Sequence, residues 1–159
     1  MVRGLRGLRI LIRQGARILS RAEARNNNVV PELPDLRILG DAFTAALSGR
    51  ELTSTTVKQP LVLRGTSADL RRFDGLVLHR VEQRGKFLTL DFGPDRIVIN
   101  AMLTGRLGVA RPGARAFPST ALVFRFGPRR DGIVGSSAAA WTAGADWLPP
   151  EGEPVELRY

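Results

Sequence analysis

Cysteine is absent from this 159-residue chain, which excludes a disulfide framework, a thiolate metal site and a cysteine nucleophile. Histidine occurs once, as His79. One imidazole cannot build a multi-histidine metal site, and between Val77 and Val81 it reads as a structural or surface residue. No run approaches the roughly 18 apolar residues that a membrane-spanning helix requires. Lysine is scarce too: of 24 basic residues only Lys58 and Lys86 are lysine, and the rest are arginine. Such a bias is what a GC-rich coding sequence produces, although arginine also suits phosphate contacts.

What is present is distributed unevenly. Of the net charge of +9, residues 1–30 supply +6, because seven arginines there face one acid, Glu23. The other 129 residues carry only +3, which permits a polyanionic partner without demanding one. The seven arginines, from Arg3 to Arg25, recur every three or four residues. That spacing predicts a basic amphipathic helix. Three uses for it stay open: a surface-binding helix, an organelle presequence, or a segment missing from the mature protein.

Beyond Asn26-Asn27-Asn28 the pattern becomes globular. Leu36, Leu39, Phe43, Ala46 and Leu47 mark one face of a helix that starts near Asp35 and stops at Gly49. Gly40 inside it costs about 1 kcal/mol relative to alanine, so this helix must lean on tertiary packing. From Glu51 the period becomes two. Strands are predicted at Glu51–Val57, Leu76–Glu82, Lys86–Phe92, Arg96–Ile99, Arg106–Val109, Thr120–Phe126 and Val155–Tyr159. Thr66 and Asp69 open a short helical turn, and Gly93-Pro94-Asp95 joins two strands. Residues 127–154, rich in glycine and proline, read as an irregular loop or insertion. The expected fold class is α+β and mainly β: an antiparallel β-sandwich or flattened barrel flanked by a helix, with the basic helical extension added.

Four stretches carry a resemblance: Pro31-Glu32-Leu33-Pro34-Asp35 before the helix, Leu61-Val62-Leu63-Arg64-Gly65, Arg84-Gly85-Lys86-Phe87-Leu88, and Asn100-Ala101-Met102-Leu103-Thr104-Gly105-Arg106-Leu107. In this order and spacing they resemble the N-terminal catalytic domain of the formamidopyrimidine-DNA glycosylase / endonuclease VIII family of base-excision repair enzymes. The resemblance covers residues 31–126, with residues 155–159 similar to the next family strand.

The resemblance implies a bifunctional DNA glycosylase and apurinic-site lyase acting on oxidised bases in damaged double-stranded DNA. It implies no small-molecule cofactor, no membrane, and a bacterial cytoplasmic, nucleoid-associated setting. Pro31 would attack C1′ of a flipped-out nucleotide, and Glu32 would act as general acid and base. Lys86 would grip phosphate and assist strand cleavage. Arg84 and Arg106 would contact phosphates, and Leu103 would fill the void in the base stack. Asn100 stands where many relatives carry histidine, and Asp35 where the family is usually acidic.

An internal proline nitrogen is a tertiary amide and cannot be the nucleophile. The expectation is therefore that synthesis begins at Val30, read as an initiator Met whose removal exposes Pro31, with proteolytic processing or a true N-terminal extension as the alternatives. The family's helix–two-turns–helix module and zinc finger are missing from the sequence, so no metal is expected. The alternative reading is a truncated, non-catalytic remnant with weak, non-specific nucleic-acid binding.

Overall fold

The computed structural model describes residues 9–13, 33–100, 107–129 and 149–159. Two sheets pack face to face around one apolar core. The five-stranded sheet has the order β3-β1-β6-β5-β4, built from Leu63–Arg64, Arg9–Arg13, Arg96–Asn100, Phe87–Asp91 and Arg80–Arg84. The four-stranded sheet has the order β2-β8-β9-β7, built from Arg50–Val57, Leu122–Arg129, Val155–Arg158 and Gly108–Ala110. All pairings are antiparallel except β1 with β6. The mainly β, two-sheet architecture is the one expected.

Helix α1, Leu33–Leu47, buries Leu36, Leu39, Phe43 and Leu47, the apolar face read from the sequence. A Cβ at Gly40 would stand 3.4 Å from the Val81 carbonyl oxygen and 3.5 Å from the Gln83 amide nitrogen, in ordinary van der Waals contact, so Gly40 faces β4 directly. One turn on, the Thr44 hydroxyl donates to the Val81 carbonyl at 2.9 Å and accepts from the Val81 amide at 2.8 Å. The helix thereby covers the edge strand β4 and satisfies both backbone groups of Val81.

Alternation in β8 holds as read: Leu122, Phe124 and Phe126 are buried, and Arg125 is exposed on the other face. The short helix α2, Ser67–Arg71, opens with a capping box. The Thr66 side chain accepts from the Asp69 amide at 3.2 Å, and the Asp69 carboxylate accepts from the Thr66 amide at 2.9 Å. A hydrogen bond donated by the Thr66 hydroxyl at 2.8 Å, and then the one from the Thr66 amide, hold the exposed Asp69 carboxyl below its ordinary value. Phe73, just beyond α2, meets Phe92 edge to face at 5.3 Å.

Three expectations need correction. The stretch Leu76–Glu82 is not one strand. Leu76 and Leu78 bond to Leu52 and Arg50 of β2, then His79 donates to the Asp91 carbonyl and Arg80–Arg84 pairs with β5. The chain changes sheets at His79, and a period-two pattern runs through such a corner unbroken. Strand β8 continues to Arg129, so the irregular stretch begins later than residue 127. Finally, Arg9–Arg13 is a strand where arginine spacing predicts a helix. Its register places Ile10 and Ile12 opposite the buried Ile97 and Ile99. Within R-I-L-I-R the alternation of isoleucine fits the pleat, and an available slot between β3 and β6 outweighs local periodicity.

Candidate nucleic-acid interface

Several elements converge at one end of the five-stranded sheet. Strands β4 and β5 meet there in a two-residue turn, Gly85-Lys86, with Arg84 opposite Phe87. Gly85 adopts φ 55°, a left-handed conformation that glycine accepts without strain. The turn holds both flanking cations at the sheet's end. Lys86 is exposed, its Nζ 5.7 Å from the centre of the Phe87 ring, and it forms no ion pair among the described residues. Arg84 is also exposed and leans on Glu82, Nη2 to Oε2 at 3.1 Å. An exposed pair of this kind contributes little to stability, so the guanidinium is available to an incoming anion.

Strand β6 finishes at the same end. Phe87 faces Asn100, and Asn100 in turn faces Arg13 of β1. One cross-strand row therefore reads Arg13, Asn100, Phe87, Arg84. On the far side of β1, Leu63 lies opposite Ile12 and Arg64 opposite Leu11. The 3-10 turn Pro60–Val62 that precedes Leu63 therefore belongs to this end as well, and it presents Leu61 at 99% exposure.

Helix α1 begins there too. Along the helix, Gly49 bonds to Leu78, Thr44 meets Val81, and Gly40 lies beside Val81 and Gln83. The helix thus runs antiparallel to β4, its start toward the Gly85-Lys86 turn. At about 1.5 Å per residue, Leu33 lies roughly 10 Å nearer that end than Gly40. Its N-terminal amides add positive potential to the same region.

Of the residues singled out from the sequence, Lys86 and Arg84 are brought together at the turn. Pro31, Glu32, Leu103 and Arg106 lie outside the described residues; the first two directly precede α1, and the stretch containing the other two leaves β6 at Asn100. Two features of this end went unread in the sequence, Leu61 and Arg13. The signal for Leu61 was an apolar residue directly after a proline, within a stretch taken only as a family match. The signal for Arg13 was the R-I-L-I-R alternation, masked by the longer arginine spacing.

At the opposite end of the sheet one carboxylate is shared between two guanidinium groups. Asp91 stands 3.5 Å from Arg80 and 3.7 Å from Arg96, and its carboxylate also accepts from the Gly93 amide. No cluster of acidic, histidine or cysteine residues suited to a metal ion occurs among the described residues. None of the described helices is long and apolar enough to cross a membrane.

The fold is that of part of a bacterial DNA glycosylase. A Lactococcus lactis formamidopyrimidine-DNA glycosylase bound non-covalently to DNA containing an AP site superposes with a TM-score of 0.60 at 16% identity, covering 80% of this chain and 39% of that one. The same enzyme bound to DNA containing N7-benzyl-Fapy-dG gives the same score and coverage. In sequence, the formamidopyrimidine-DNA glycosylase of Thiobacillus denitrificans is 30% identical over 115 residues, 66% of this chain and 43% of the relative. That of Aromatoleum aromaticum is 31% identical over 125 residues, 72% of this chain and 44% of the relative. Residues 30–134 match the family model of the formamidopyrimidine-DNA glycosylase N-terminal domain. The chain belongs to this family, and it spans under half the length of these curated relatives.

Proposed function

We propose that this chain provides the N-terminal, imine-forming part of a DNA-repair glycosylase with apurinic-site lyase activity, acting on damaged duplex DNA. The observation that carries the reading is the convergence of the start of α1, the Arg84-Gly85-Lys86 turn and the end of β6 at one end of one sheet. In this reading the secondary amine of Pro31, once it is a chain terminus, attacks C1′ of an extruded nucleotide. The bond from C1′ to the base breaks, and its electron pair leaves with the base, which takes up a proton; the amine then loses its own proton, and the C1′–O4′ bond opens, O4′ taking up a proton, to leave an iminium at C1′. The resulting iminium acidifies the adjacent sugar carbon, and loss of a proton there expels the 3′ phosphate. Glu32 handles the protons, and Lys86 with Arg84 and Arg106 holds phosphates near the lesion. Leu103 occupies the vacated place in the base stack.

One observation favours a second reading. In the chain as given Pro31 follows Val30, and its amide nitrogen has no lone pair to offer. A form with Pro31 internal binds duplex DNA through its cations and forms no imine. The test treats the chain initiated at Val30 as Met, and the full chain beside it, with abasic-site DNA and borohydride. A covalent adduct only in the form whose N-terminus is Pro31 by mass establishes the imine chemistry. No adduct from that form, with a cooperative urea transition confirming that it folds without β1, overturns it and leaves nucleic-acid binding alone.

A further inference from the structure

The segment before Pro31 is readily dismissed as dispensable, but its strand β1 is an interior strand of the five-stranded sheet. It pairs in parallel with β6 over five residues, Arg9 opposite Arg96 through Arg13 opposite Asn100, and antiparallel with β3 on its other side. Residues 10 and 12 fall on the face of the buried Ile97 and Ile99. Residues 9, 11 and 13 fall on the face of Arg96, Val98 and Asn100, which are only partly buried. A strand with neighbours on both sides directs its backbone bonds to the sheet, and its direction decides which residue reaches which end.

That direction matters because the cations at the two ends are engaged differently: Arg80 and Arg96 share the Asp91 carboxylate, whereas the exposed Lys86 has no ion pair among the described residues. Arg9 is placed at the end where Asp91 already faces Arg80 and Arg96. Arg13 is placed at the end with the exposed Lys86 and Arg84, in the row through Asn100 and Phe87. From this juxtaposition we infer that β1 belongs to the nucleic-acid interface and that Arg13 is a further phosphate-contacting residue. Arg9, four positions earlier on the same strand, is not. The inference rests on the DNA-binding half of the proposed function and concerns the form that retains residues 1–30, in which Pro31 is internal and forms no imine.

The full chain and its variants Arg13→Gln and Arg9→Gln are titrated with a lesion-free DNA duplex across a salt series, read by fluorescence anisotropy. Each phosphate contact contributes close to one unit to the slope of log affinity against log salt. Arg13→Gln is expected to weaken binding severalfold and to lower that slope by about one, with Arg9→Gln matching the parent chain. Equal effects from the two variants, or none from Arg13→Gln, overturn the assignment while leaving DNA binding intact. A parent chain that does not bind duplex at all removes the DNA-binding reading and this inference together. Leu11→Pro tests the strand separately, because proline removes an amide donor from an interior strand. It is expected to lower the urea midpoint clearly, and an unchanged midpoint removes β1 from the fold and the inference with it.

Discussion

Arginine serves opposite ends in the two sheets. In the four-stranded sheet Arg50, Arg129 and Arg158 are turned inward, and the exposed Arg125 is held by Glu156. Arg50 is fully buried and donates to the carbonyls of Ala46 at 2.9 Å, Gly127 at 3.1 Å, Pro150 at 2.9 Å and Glu153 at 2.5 Å. Arg125 and Arg158 converge on Glu156, at 2.7 and 2.6 Å. Arg129 donates to the Ala45 carbonyl and pairs with Glu151 at 3.3 Å. These cations act as staples between α1, β8 and the segment leading into β9. In the five-stranded sheet Arg84 and Lys86 stand exposed on a tight turn. Composition alone counts all of them as basic residues, and burial separates the staples from the surface that can meet a polyanion.

The largest way to break this contrast is Arg50→Met. Four carbonyls lose their donor in a buried site, and each unsatisfied group costs about 1–3 kcal/mol unless water reaches it. The unfolding free energy in urea is expected to fall by about 3 kcal/mol or more. A loss near zero would show that Arg50 is not a staple. Burial, and then the nearby Arg129, already hold this guanidinium below its usual pKa, so the site tolerates its charge only because the carbonyls are arranged around it.

A smaller effect is expected from Glu156→Gln, about 1–2 kcal/mol at neutral pH. Burial works to raise the Glu156 carboxyl, but hydrogen bonds from Arg125 and Arg158 outweigh it and hold the group below its ordinary range. Because the folded value is depressed, the stabilisation is fully present above the unfolded value of about 4.3. It is lost as pH falls through the folded one. Stability measured from pH 7 downward should therefore drop below about pH 4 in the parent chain by more than in the variant. Parallel pH profiles would remove Glu156 from the account.

The smallest effect on stability belongs to Lys86→Gln, within about 0.5 kcal/mol, because an exposed cation with no ion pair among the described residues contributes little beyond its contact with Phe87. Its signature lies in binding: the salt slope with duplex DNA should fall by about one. A destabilised variant with unaltered binding would reverse the contrast between the two sheets.

How much of this could be read beforehand varied with the range of the interaction involved. Local patterns were reliable. The apolar face of α1, the Thr66 and Asp69 cap, the Gly93-Pro94-Asp95 turn and the alternation of β8 each depend on neighbours within one turn or one strand, and each is present. The pairing of Arg84 with Lys86 across Gly85 was legible for the same reason. Decisions that needed a distant partner were not. Leu76–Glu82 reads as one strand until Arg50 and Asp91 claim its two halves for different sheets. Arg50 looks like any strand-end arginine until residues 150 and 153 come back to it.

The family motifs and the turn that carries Lys86 were thus determined by the sequence itself, because glycine, proline and capping residues act on the backbone beside them. The placement of Arg13 was decided only by tertiary structure. Spaced every three or four residues, its arginines satisfy a helix. Only the strand edges of β3 and β6, brought together by the fold, give the backbone of the same segment partners on both sides.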